Sequence, residues 1–172
     1  GVYLDIICTE DQSSELMSYG LQLDVLISNL TAHYKERNRP ATLRNFPLGS
    51  MQGNYTWEEL NNRFDELLNL YPNIISERLV IGQSIEGRNV WAFKVSDNPN
   101  QDEDEPEVLY TSLIHAREPL SMMNLFYFVQ QLAERYNSDE ELTYLVNNRE
   151  MWFVPVVNPD GYVFNELIEP FG

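Results

Sequence analysis

Histidine and cysteine are the scarcest chemistry-bearing residues of this 172-residue sequence: His33, His115 and Cys8 are the whole supply. A single cysteine excludes an internal disulfide framework. Its apolar neighbours Ile6 and Ile7 predict a buried, inert thiol. Positive charge is short as well, with 11 Lys and Arg against 27 Asp and Glu and a formal net charge of −16. A field of that sign repels a phosphate backbone, which argues against nucleic acid as a partner. No apolar run approaches the ~18 residues that cross a bilayer, so no membrane-spanning helix is expected. Internal repeats and low-complexity segments are missing too. The first residue is Gly rather than Met and no signal-peptide pattern follows, so the chain reads as a segment of a longer product. What is present suffices for a core: 43% of residues are hydrophobic and 12% aromatic, which argues against global disorder.

Residues 1–38 read as a small α/β segment of their own. Residues 2–8 are strand-like, and Thr9 with Gln12 forms a capping box for a short helix that ends at Gly20. Residues 21–27 alternate apolar and polar positions and predict a second strand, after which Ser28 caps a helix running to Arg37. Residues 39–54 include Pro40, Pro47, Gly49 and Gly53, lack periodicity and read as a linker.

The remaining stretch, 55–172, carries stronger signals. Thr56-Trp57-Glu58-Glu59 is a capping box, and Leu60, Phe64, Leu67, Leu68 and Tyr71 then fall on one helical face. Residues 78–81 and 89–95 predict an antiparallel pair of strands joined by a loop with Gly82 and Gly87. The run Asp102-Glu103-Asp104-Glu105 lacks the spacing and glycine of a calcium loop and reads as a solvated connection. Residues 107–114 are apolar on both parities, as in an interior strand covered on both faces. A helix follows from Pro119 to about Tyr136, burying Met122, Leu125, Phe126, Val129 and Leu132. A shorter helix over 142–148, a buried strand over 151–157 and turn chemistry at Asn158-Pro159-Asp160-Gly161 complete the pattern. The fold class is α/β: an incomplete mixed β-sheet flanked by helices, preceded by the small α/β segment.

One stretch places two metal-binding groups at short range. In His115-Ala116-Arg117-Glu118 an imidazole and a carboxylate stand three residues apart where a strand gives way to a helix. Both groups bind zinc, and a catalytic zinc site uses three protein ligands with a fourth position for water. Loops at the carboxyl ends of strands in open α/β sheets are also where sites are built. The alternative is a surface loop that happens to hold His, Arg and Glu.

Further motifs accompany this pair. Ile81-Gly82-Gln83-Ser84-Ile85-Glu86-Gly87-Arg88, the strand after it, the His115–Glu118 stretch and Val157-Asn158-Pro159-Asp160-Gly161-Tyr162 come in the order and spacing of the zinc carboxypeptidases. From about Tyr55 onward the chain resembles the carboxypeptidase A/B family. That resemblance implies Zn2+ as cofactor, peptide or protein C-termini as substrate, removal of C-terminal amino acids as activity, and a secreted protein. By position, His115 and Glu118 resemble the first two zinc ligands. Arg117 resembles the arginine placed along the substrate cleft, with pairing to nearby acids as its alternative role. Residues 84–88 and 158–162 resemble signatures that are mainly structural. The third ligand (a histidine), the carboxylate-binding arginines, a mobile tyrosine and the general-base glutamate are all implied downstream of Gly172, so no catalytic residue is assigned in this chain. His33 lies before the linker and does not replace the implied histidine. Residues 1–38 fall outside the peptidase resemblance; they look similar to a small α/β segment that precedes some microbial members, and read either as a pro-region or as an accessory module. The competing reading is a non-catalytic binding or regulatory protein with a truncated peptidase fold.

Overall fold

The computed structural model describes residues 6–37 and 46–168. The chain divides into two compact units, Gly1–Arg44 and Asn45–Gly172.

In the first unit the described residues form two helices, α1 (Glu10–Ser18) and α2 (Leu30–Arg37). The capping box forms at α1: the Thr9 amide donates to Gln12 Oε1 at 2.9 Å and the Gln12 amide to Thr9 Oγ1 at 3.3 Å. α2 is capped by Asn29 rather than Ser28, its Oδ1 accepting from the Ala32 amide at 2.8 Å. No strand forms over residues 21–27. A strand needs a partner's backbone groups, and none is present among the described residues of this unit. Of the strand expected over 2–8, residues 2–5 lie outside the described residues and 6–8 are irregular. Cys8 is therefore exposed, not buried; Ile6 and Ile7 beside it are also exposed, so no core surrounds the thiol.

The second unit begins in the stretch that reads as a linker. Its described part, 46–54, packs on this unit: Met51 is buried and the Tyr55 hydroxyl donates to the Pro47 carbonyl at 2.7 Å. Bridges Gly49↔Gly53 and Met51↔Asn54 make a tight reversal. A Cβ on Gly49 would stand 2.0 Å from the Asn54 carbonyl oxygen, so the reversal requires glycine there. Turn-rich composition is the same for a packed reversal and a linker, which is why periodicity missed it.

Helix α3 (Trp57–Leu70) starts at the Thr56–Glu59 capping box and buries Leu60, Phe64 and Leu67. Then come strands β1 (Leu79–Gln83), β2 (Asn89–Val95) and β3 (Glu107–Thr111), helices α4 (Pro119–Arg135) and α5 (Glu140–Asn148), strand β4 (Glu150–Val154) and helix α6 (Pro159–Ile168). The four strands lie in the order β1-β2-β4-β3, with β1–β2 and β2–β4 antiparallel and β3–β4 parallel. The β1–β2 register shifts between Val80 and Gly82, leaving Ile81 as the extra residue of a bulge, and Gly82 pairs with Val90 inside the strand rather than lying in the connecting loop.

Register explains the core. Phe93 pairs with Phe153 and Tyr110 with Phe153 across three strands. The rings stack, with centroids 5.3 and 5.0 Å apart. Phe64 of α3 covers one end at 4.8 Å from Phe93, and Phe128 of α4 the other at 5.5 Å from Tyr110. Helix burial follows the expected stripe, including Met122, Leu125, Phe126, Val129 and Leu132. β3 differs from expectation. It is an edge of the four-stranded sheet, and Leu109 on the face away from the aromatic stack is 65% exposed. The apolar residues of both parities are there; only one of the two faces is covered.

Candidate metal centre

The loop between β3 and α4 is fixed at both ends. Ser112 extends the β3–β4 ladder by one bond, its amide donating to the Val154 carbonyl at 3.1 Å. The Val157 and Asn158 amides then donate to the Ser112 and Leu113 carbonyls at 3.1 and 3.0 Å. Leu113 turns the chain off the sheet in a left-handed conformation, φ 50°. For a residue with a Cβ that costs on the order of 1–3 kcal/mol. It persists because the Leu113 side chain is buried and its amide donates to Ser121 Oγ at 3.1 Å. The same Ser121 hydroxyl donates to the Glu118 carbonyl at 2.7 Å. One serine on the first turn of α4 thus braces both the entry and the exit of the loop.

Inside that frame the two candidate ligands meet. His115 Nδ1 and Glu118 Oε1 are 3.1 Å apart, with side chains 77% and 61% exposed. Glu118 is the N-cap residue of α4, yet its carboxylate makes no capping hydrogen bond. It faces the imidazole instead. Two ligands held at 2.0–2.1 Å on a tetrahedral zinc stand about 3.3 Å from each other. The pair therefore suits one zinc ion by donor type and by separation. Arg117, between them in sequence, is exposed. No group of three converging donors among the described residues includes His115 or Glu118. His33 lies on α2, in the first unit.

The two structural signatures converge behind this loop. Asn158 is an N-cap, its Oδ1 accepting from the Gly161 amide at 3.0 Å, and Pro159 opens α6. The Asn-Pro-Asp-Gly stretch is thus a helix start, not a turn: Pro at the first helical position preceded by Asn serves either structure. Asp160 then reaches across to the β1–β2 loop. Its Oδ1 accepts from Ser84 Oγ at 2.7 Å and from the Arg88 guanidinium at 2.7 Å, and its Oδ2 from the Glu86 amide at 3.0 Å. These donors, the Ser84 hydroxyl foremost, hold the Asp160 carboxyl below its ordinary range. Nothing local marks this contact, which joins residues more than 70 positions apart.

A second set of acids lies elsewhere. Asp102, Glu107 and Glu150 bring ligand atoms within 4.8 Å of one another, beside a hollow of about 520 Å³ also lined by Arg78, Lys94 and Trp152. Glu150 is already paired with the buried Lys94 ammonium, so the cluster has its own cation. The acidic run of 102–105 is only half solvated. Asp102 and Asp104 are exposed, while Glu103 turns inward and accepts from Asn98 Nδ2 at 3.0 Å. Glu105 Oε2 is withdrawn from water with no hydrogen-bond partner.

The sequence profile of the zinc carboxypeptidases matches residues 60–167, well over half of the chain. The chain belongs to the zinc carboxypeptidase family. Among its relatives, a zinc carboxypeptidase of Saccharothrix mutabilis subsp. capreolus is 36% identical over 122 residues, covering 71% of this chain and 28% of that protein. Human carboxypeptidase D is 36% identical over 95 residues, 55% of this chain and 7% of that protein. Two solved structures share the fold: thrombin activatable fibrinolysis inhibitor, with a TM-score of 0.63 at 22% identity, and carboxypeptidase A from Helicoverpa armigera, with 0.61 at 24%. Each likeness covers 94% of this chain and 40% of the other. The chain spans under one third of the curated relatives it matches.

Proposed function

We propose that the full-length protein removes C-terminal amino acids from peptides and proteins, with His115 and Glu118 as two of the three protein ligands of a catalytic Zn2+. The observation that carries this reading is their 3.1 Å approach at the carboxyl end of β3, in a chain of the zinc carboxypeptidase family. When bound, the metal supplies a Lewis acid for the scissile carbonyl and brings a water towards a pKa of about 7. The chain's own residues prepare that chemistry. His115 offers a neutral ring nitrogen, and Glu118 adds one negative charge, leaving net positive charge on the metal. The exposed Arg117 provides a planar donor fork beside the pair, suited to substrate oxygens.

The third ligand, the general base and the groups that hold the substrate carboxylate belong to sequence outside these residues. That the chain aligns with only 28% of a 36%-identical relative supports this division. Residues 1–38 serve as an accessory or pro-region module of a secreted protein. The open face and edge of β3, with Leu109 exposed, are then where further parts of the peptidase domain pack.

Release of C-terminal amino acids from a panel of blocked dipeptides tests the reading, comparing the full-length protein with residues 1–172. Chelator-sensitive turnover is expected from the full-length protein and none from the shorter chain. A general base contributes ~10²–10⁴-fold, and an unanchored substrate terminus loses positioning as well. An inactive, zinc-free full-length protein would instead favour a binding or regulatory role.

A further inference from the structure

We propose that Asp160 and Gly161 are positioning residues for the metal ligands, setting the place of the His115–Glu118 loop through a direct contact between Gly161 and Ala116. The inference rests on the ligand reading of the preceding subsection and adds what holds those ligands in register. The loop carrying the ligands is exposed at its tip, so it cannot be fixed there by burial. Its ends are held by Ser121 and the Val157 and Asn158 amides, and its middle rests on the element behind it.

The structure supplies one close contact at that place. A Cβ built on Gly161 would stand 2.8 Å from the Ala116 Cβ and 2.9–3.0 Å from the Asn158 amide atoms. The Asn158 amide can yield only by giving up its capping bond to the Gly161 amide. The Ala116 Cβ is fixed to the loop backbone, so the clash is relieved only by moving that loop or the first turn of α6. Ala116 lies between the two ligands, one residue from His115 and two from Glu118. The first turn of α6 is therefore a backstop against which the ligand loop rests at van der Waals distance.

Asp160 fixes the backstop in turn. Its carboxylate is tied to the Ser84 hydroxyl, the Glu86 amide and the Arg88 guanidinium of the β1–β2 loop. The Arg88 amide also donates to Ser84 Oγ at 3.0 Å, so the loop is ordered around the same acid. Position thus passes from the β1–β2 loop to Asp160, to Gly161, to Ala116 and to the ligands, each step a contact between adjacent groups. Groups that orient metal ligands from behind typically change metal affinity ~10–100-fold when altered.

The test measures zinc affinity of the full-length protein by competition with a chromophoric chelator, and unfolding of its metal-free form by circular dichroism. Gly161→Ala is expected to weaken zinc ~10–100-fold, and Asp160→Asn to weaken it in the same direction. Adding Ala116→Gly to Gly161→Ala removes the nearest clashing carbon and should recover part of the loss, a coupling between neighbours that a general folding defect would not show. Wild-type zinc affinity in Gly161→Ala and Asp160→Asn, with zinc lost in His115→Ala, would overturn the positioning role while leaving the ligands in place. Weakened zinc that Ala116→Gly fails to restore, together with an equally weakened metal-free fold, would overturn it too. Zinc retained by His115→Ala would instead sink the ligand reading.

Discussion

Lys94 on β2 and Glu150 at the head of β4 form an ion pair withdrawn from water, their side chains only 3% and 1% exposed. The ammonium also donates to the Gln101 carbonyl, and Glu150 Oε1 accepts from the Glu103 amide at 3.1 Å. Removing one partner strands the other charge in a dry site, whereas removing both takes away attraction and desolvation together. Glu150→Ala should therefore cost about 3–5 kcal/mol of stability. Exchange of both residues for methionine should cost far less or nothing. Urea unfolding decides it: a Glu150→Ala midpoint close to that of the wild type would show that the pair is solvated. Zinc affinity should not change in these variants, since the pair lies at the opposite end of β4 from the ligand loop.

Two carboxyls should respond to acid in opposite senses. Asp160 is held below its ordinary range, chiefly by the Ser84 hydroxyl, so its ionised form stabilises the fold. That contribution is complete above the unfolded value of about 3.9 and is lost as pH falls through the lower folded value. Asp160→Asn should lower the melting temperature at pH 7, and the deficit should shrink as pH drops below about 4. Glu105 is raised above its ordinary range by burial, with Glu103, Asp97 and Glu150 adding repulsion. Its ionised form is unfavourable, so Glu105→Gln should raise the melting temperature at pH 7 in metal-free buffer. That gain should vanish below about pH 4, where the acid is protonated whether folded or not. Equal shifts at both pH values would contradict the two assignments.

The Tyr162 hydroxyl, on a fully buried ring, donates to the Tyr55 carbonyl and so joins α6 to the start of α3. Burial raises both phenols, Tyr55 up to about 12 and Tyr162 further, which keeps both as donors across the working pH range. Tyr162→Phe leaves a buried carbonyl without that donor and should cost about 1–3 kcal/mol. Denaturant unfolding that shows no loss would mean water replaces the hydroxyl.

Local signals were legible and distant ones were not. The capping boxes at Thr9 and Thr56 involve residues three apart and form as read. The buried stripe of α4 follows from its periodicity. The strand expected over 21–27 and the buried Cys8 failed because a strand's existence and a thiol's burial depend on neighbours that the first unit does not provide among its described residues. At the candidate site, His115 and Glu118 could be picked out because both belong to one short loop. The Leu113 conformation could not, since leucine carries no signature of a left-handed backbone. Nor could the Ser84–Asp160–Arg88 contact, although its residues lie in the two motifs that looked structural. The motifs announced a role without showing that they act on each other.

The most direct test of the account is the zinc content of the purified full-length protein after dialysis, measured by atomic emission for the wild type and for His115→Ala, Glu118→Ala and His33→Ala. Stoichiometric zinc in the wild type and in His33→Ala, with loss in His115→Ala and Glu118→Ala, is the predicted result. Stoichiometric zinc in His115→Ala, or its loss in His33→Ala alone, would contradict the metal centre placed at the end of β3.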